Sequence, residues 1–154
     1  MTDPVRQRLA ELGLALPEAP QPLGAYRAAV QSGALVFLSG QLPIRDGAMR
    51  YQGVIGAALT VEEGRAAAEL CALNALAQLD RHLGGFERLR MLVRMDGYVA
   101  SAPGFVGQPK VLDGASELFA RVLAERAGHA RTAFAVPQLP ADAAVELVLI
   151  AEVA

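Results

Sequence analysis

Between Thr60 and Gly85 the chain spells out a helix with both ends marked. Thr60 with Glu63 three residues later forms a capping box, an alanine-rich stretch runs to Leu83, and Gly84 and Gly85 supply a left-handed stop. A strand follows at once. Leu89, Met91, Val93 and Met95 alternate with Arg90, Leu92, Arg94 and Asp96, the period of two that marks one buried face. Ala115, Leu118, Phe119, Val122 and Leu123 then follow the i, i+3, i+4, i+7, i+8 spacing of an amphipathic helix, which Gly128 ends. Arg131 to Val136 and Val145 to Val153 read as two closing strands.

Upstream, Asp3 and Pro4 look like an N-cap and first-turn proline of a short helix with Val5, Leu9 and Leu12 on one stripe and Gly13 at its end. Pro17, Pro20 and Pro22 keep the chain extended up to two strand-like runs, Ala25 to Val30 and Leu35 to Gln41. Ser32 and Gly33 join these into a hairpin. Asp46 and Gly47 punctuate a second turn, which makes Ala48 to Gly53 an additional edge strand. The order hairpin, helix, strand, helix, strand, strand predicts an α+β domain with its two main helices on one face of a single mixed sheet. No repeat, low-complexity tract or linker divides residues 1–154.

The other sheet face is left bare, and the composition says what covers it. Hydrophobic residues make up 53% of the chain before its 15 glycines are added, where soluble domains reach roughly 45 to 50% with glycine included. No apolar run approaches the roughly 18 residues of a membrane span, and Arg6, Arg8 and Glu11 are unlike a signal peptide. The surplus apolar surface therefore points to other copies of the same chain, in the cytoplasm. Fourteen basic against sixteen acidic residues give a net charge of −2, with no basic run to follow a phosphate backbone, which argues against a nucleic-acid partner. A single cysteine, Cys71, excludes an internal disulfide and a cysteine metal site, and its place in a helix reads as a buried, inert thiol.

The stretches "LGAYRAAV", "LVFLSGQLP" and "HARTAFAV" followed by "LP" and "AAVELVLIAEV" resemble the Rid/YjgF family of reactive-intermediate deaminases, some of which carry the older label L-PSP-type endoribonuclease. "QPKVLDGAS" and the segment 1–19 resemble the longer branch of that family, in which those residues are an N-terminal extension. The resemblance implies a chorismate-mutase-like fold assembled as a homotrimer, with clefts between subunits and no cofactor. It implies further that Arg131 binds a substrate carboxylate, that Glu146 positions the attacking water, and that Tyr26 and Ser39 line the same cleft. The substrate class is the enamine or imine acid of 2-aminoacrylate type. Asp113 is the departure, since relatives usually carry Asn there.

Physical chemistry bears on each position. On a strand Arg131, Ala133 and Ala135 share a face, so the guanidinium stands over methyl groups and its planar fork suits a carboxylate; a structural ion pair is the other reading. Glu146 alternates with Val148 and Ile150, where desolvation raises a carboxyl pKa as a base near neutrality requires; a cross-strand pair with Arg90 or Arg94 is the alternative. Asp113 reads as the N-cap of the second helix, or, if it faces the cleft, as a charge that repels a carboxylate or holds Arg131. His82 reads as a partner for terminal helix carbonyls, and His129 lies two residues before Arg131 without partners at triad or metal spacing.

Overall fold

The computed structural model describes residues 3–154. Helix α1 (Pro4–Glu11) starts at Asp3, whose side chain accepts from the Val5 amide at 2.8 Å, and buries Val5 and Leu9. Leu12, placed on the same stripe by spacing, is instead exposed beyond the helix end. Helix α1 lies on the third helix, with Arg8 donating to the Val122 carbonyl. Strands β1 (Ala29–Ser32) and β2 (Leu35–Leu38) form the hairpin. Strands β3 (Ile44–Arg45) and β4 (Ala48–Met49) form a separate two-stranded ribbon, not an edge of the main sheet. Asp46 and Gly47, both at positive φ, give that turn the hand a tight hairpin requires.

Helix α2 (Val61–Leu83) has both arms of the Thr60–Glu63 capping box and ends at left-handed Gly84. Strand β5 (Leu89–Ala100), helix α3 (Gln108–Leu123), strand β6 (Ala130–Val136) and strand β7 (Val145–Val153) complete the chain. The main sheet has the order β1-β2-β7-β5-β6, antiparallel throughout except for the parallel β5–β6 pair. It is the mixed sheet predicted, with α2 and α3 on one face. Gly114 of α3 allows this close packing, because a Cβ there would lie 2.9 Å from the Arg65 Cα and carbonyl carbon of α2.

Two sequence expectations are corrected here. Strand β5 does not bury Leu89, Met91, Val93 and Met95 in simple alternation; register shifts between Leu89 and Met91 and between Leu92 and Arg94 bury Leu92 and expose Met91. Helix α3 begins at Gln108, so Asp113 stands in its second turn and is not its N-cap.

The uncovered face carries Val30, Leu35, Phe37, Met91 and Phe134, each large, apolar and exposed. Phe134 stacks on Tyr98 with ring centroids 5.3 Å apart. Edge strand β6 also leaves Ala133 and Ala135 exposed.

Candidate functional site

Strand β7 alternates buried Val145, Leu147, Leu149, Ala151 and Val153 against half-buried Glu146, Val148, Ile150 and Glu152, so Glu146 emerges on the face away from the helices. Beyond β2 the chain crosses β7, where Gln41 and Leu147 exchange backbone hydrogen bonds of 2.7 and 3.0 Å. This brings Gly40 against the Glu146 side chain: a Cβ on Gly40 would lie 2.8 Å from the Glu146 Cδ. Only glycine leaves room for the carboxylate. Glu146, Ser39, Gly40 and Tyr26 line a cleft of about 150 Å³, walled by Pro22 and Leu23.

Burial raises the Glu146 pKa above the ordinary 4.5. The carboxylate has no ion-pair partner among the described residues; Arg94, one alternative, is engaged with Asp96 at 3.0 Å. Ser39 donates to the Ala28 carbonyl, and the Tyr26 hydroxyl accepts from the Leu23 amide at 3.2 Å, which leaves the ring half-exposed at the cleft. Two buried amides hold the walls. Gln78 of α2 donates to the Pro20 carbonyl at 2.7 Å, and Gln41 donates to the Ser39 carbonyl at 3.0 Å. Sequence reasoning missed Gly40, Gln41 and Gln78, although an amide on the buried face of an alanine-rich helix was a signal. Cys71 is fully buried as expected, with its thiol pKa pushed up by burial and by the nearby Glu146 charge.

Arg131 belongs to a second cluster. It pairs in register with Met95, which pairs with Leu149, so its side chain leaves the sheet on the helix side and reaches α3. Its Nη1 donates to Asp113 Oδ1 at 2.8 Å and to Ser116 Oγ at 3.1 Å, and its Nη2 donates to the Pro109 carbonyl at 3.3 Å. Asp113 thus holds Arg131, and the pair keeps solvent access, with 24% of the arginine side chain and 44% of the aspartate exposed. His129 precedes β6 at positive φ and joins the cluster through Ser116, 3.0 Å from its Nε2. His82 meets Gln31 Oε1 at 3.0 Å and not a helix carbonyl.

The chain brings Tyr26, Ser39 and Glu146 together, and Arg131 and Asp113 together, but not the two groups; Ala133 lies two residues along β6 from Arg131 and is exposed. Glu146 pairs with Tyr98 in register, and Arg131 lies on the far side of β5, three rungs along and on the opposite face. Strand geometry puts their Cα atoms roughly 14 Å apart. Among the described residues no group of three or more His, Cys, Asp and Glu could hold a metal ion, and no helix is long and apolar enough to cross a membrane.

The family profile described as "YjgF/chorismate mutase-like, putative endoribonuclease" matches residues 6–153. The chain belongs to this family. It is 43% identical over 144 residues to Protein TCP17 of Trypanosoma cruzi, covering 93% of this chain and 90% of that protein. Among solved structures, protein Atu1372 of Agrobacterium tumefaciens is 41% identical with a TM-score of 0.93, covering 98% of this chain and 93% of that one. A protein of Shewanella oneidensis titled a "putative endoribonuclease" is 36% identical with a TM-score of 0.94, covering 99% and 100%. The fold of the YjgF family thus holds along the chain, the N-terminal helix included.

Proposed function

We propose that the protein hydrolyses small imine and enamine acids of 2-aminoacrylate type to 2-keto acids and ammonium, in clefts that a neighbouring copy completes. The observation that carries this reading is Glu146: a half-buried carboxylate with a burial-raised pKa, set beside Ser39 and Tyr26 in a cleft that Gly40 keeps open. A carboxylate so desolvated holds a proton more readily and is a better base once ionised.

The chemistry needs few parts. An enamine acid tautomerises to its protonated imine, R–C(=NH2+)–COO−, which is itself electrophilic and calls for no cofactor. Water held by Glu146 adds to the imine carbon as its proton passes to the carboxylate. The carbinolamine then collapses: Glu146 returns its proton to the amine nitrogen, the C–N bond breaks as the hydroxyl oxygen forms the C=O bond, and the hydroxyl proton passes to the departing ammonia, so that the keto acid and ammonium leave and Glu146 is again a carboxylate. Ser39 and Tyr26 shape the cleft around the reacting carbon.

Arg131 anchors the substrate carboxylate from the adjoining subunit, because within one chain it points away from Glu146. The exposed apolar residues of the bare face and the uncovered edge of β6 support such an assembly, which the family resemblance makes a homotrimer. A cytoplasmic setting and the absence of a nucleic-acid partner belong to the same reading. The test is to generate 2-iminopropionate in the cuvette and follow its decay. Glu146→Gln is expected to lose roughly 10²- to 10⁴-fold, the usual contribution of a positioned base; wild-type rates from that variant would refute the role.

A second reading, a trimeric binder of small carboxylates without turnover, is favoured by the Asp113–Arg131 pair, which already neutralises the anchor. Calorimetric binding of small acids without any imine decay would decide for it.

A further inference from the structure

We infer that Ser116 and His129 are positioning residues for Arg131, a two-link relay that fixes the plane of its guanidinium before a substrate arrives. The inference rests on the proposed role of Arg131 in the cleft. An arginine head hangs on a long rotatable stem, and a single hydrogen bond leaves its plane free to turn. Asp113 supplies one contact, to Nη1 at 2.8 Å. Ser116 Oγ supplies a second to the same nitrogen at 3.1 Å, and the Pro109 carbonyl a third, to Nη2 at 3.3 Å. Three points fix a plane.

The Ser116 contact depends on His129. Ser116 lies inside α3, where a serine hydroxyl ordinarily turns back to the carbonyl four residues earlier. Here it meets His129 Nε2 at 3.0 Å. His129 Nδ1 lies 2.7 Å from the Ala127 carbonyl, which can only accept, so Nδ1 carries the proton of the neutral ring and Nε2 accepts. The one hydroxyl hydrogen of Ser116 is thereby taken by the imidazole, and Oγ presents a lone pair to the arginine. The other tautomer would set the Nδ1 lone pair against a carbonyl oxygen.

The ring is itself held. Phe119 meets it edge to face with centroids 6.0 Å apart, and the His129 amide donates to the Leu92 carbonyl at 3.0 Å. Its φ of 60° lies in the left-handed region, where glycine or asparagine would serve the backbone at least as well. What histidine adds at this position is the imidazole. An arginine whose plane is set in advance gives up less freedom when a ligand docks on it. That gain is made in the ground state and the transition state alike, so it belongs to KM and not to kcat.

Pyruvate, the keto acid that 2-iminopropionate would yield, is the probe. The variants are Ser116→Ala and His129→Asn; asparagine suits the left-handed backbone, and its amide reaches only as far as Nδ1 does in the ring. Each is expected to weaken calorimetric pyruvate binding, and to raise KM for 2-iminopropionate at unchanged kcat, by roughly three- to tenfold, about the worth of one hydrogen bond. The double variant is expected to lose no more than either single one, because both break the same relay, and Ser116→Thr, which keeps a hydroxyl, is expected to bind like the wild type. Nitrogen NMR of the wild type needs no variant: in alkaline buffer His129 is expected as the Nδ1–H tautomer. An Nε2–H tautomer, a wild type that binds no pyruvate, an affinity that neither variant moves, or losses that add in the double variant would each overturn the inference. Imine decay is scored separately: turnover whose KM neither variant moves defeats this inference alone, and the expected pyruvate losses in a protein without turnover defeat the deaminase reading alone.

Discussion

Gly40→Ala isolates the geometry of the cleft from its chemistry. The backbone of Gly40 is not in the left-handed region, so alanine is sterically acceptable there except for what its methyl meets. That is the Glu146 side chain, with Cδ at 2.8 Å and Cγ at 3.2 Å, where carbon–carbon contact is relaxed only near 3.5 Å or beyond. The carboxylate must retreat by about 1 Å. Glu146 is the free end of a half-exposed side chain, so it can swing outward, and the stability cost falls at or below the low end of overpacking penalties, about 1 kcal/mol. A 1 Å misplacement in a catalytic constellation costs on the order of 10²-fold in rate, or about 2.7 kcal/mol of barrier. Rate and stability therefore part company. The assay is kcat/KM for 2-iminopropionate decay beside a thermal melt, with Gly40→Ala measured alone and in the Glu146→Gln background. Acting through Glu146, it should add no further loss in that background. A Gly40→Ala protein with the wild-type rate, or one whose losses multiply with those of Glu146→Gln, would refute the reasoning.

Other consequences follow from named contacts. Glu146→Gln should gain stability relative to wild type as pH rises: the folded-state pKa lies above 4.5, so burial favours the protonated acid, and its advantage is lost between the unfolded and the raised folded value. Urea melts at pH 4 and pH 7 would show the gap widening in favour of the variant; a gap that narrows contradicts a desolvated carboxylate. Gly114→Ala should destabilise by about 1 to 2 kcal/mol, because the clash is with the Arg65 backbone and outweighs the roughly 1 kcal/mol of helix propensity that alanine gains. Chemical denaturation measures it, and a more stable variant would mean that α2 and α3 separate freely. Phe37→Asp with Phe134→Asp, both on the bare face, should reduce the assembly to single copies in light scattering and abolish imine turnover. Full turnover by such single copies would show that no neighbour completes the cleft.

What the sequence determined by itself was local and periodic. The capping box at Thr60, the glycine stop at Gly84 and the nine-residue alternation of β7 act within a few residues, and each is legible because its free energy is made from near neighbours. The same holds for Asp3 at the start of α1 and for the apolar stripe of α3. Position within the fold was less legible. The irregular register of β5 arises from pairing with β7, far along the chain, and no window around Met91 carries it. Asp113 appeared as a cap because "VLDGAS" has a cap's local chemistry. Only the packing of α3 against the start of β6 turned it toward Arg131. The site divided in the same way. The residue types at 26, 39, 131 and 146 were readable, but strand order and register decided that Glu146 and Arg131 leave opposite faces of the sheet, and side-chain direction in a sheet depends on the parity of distant pairings.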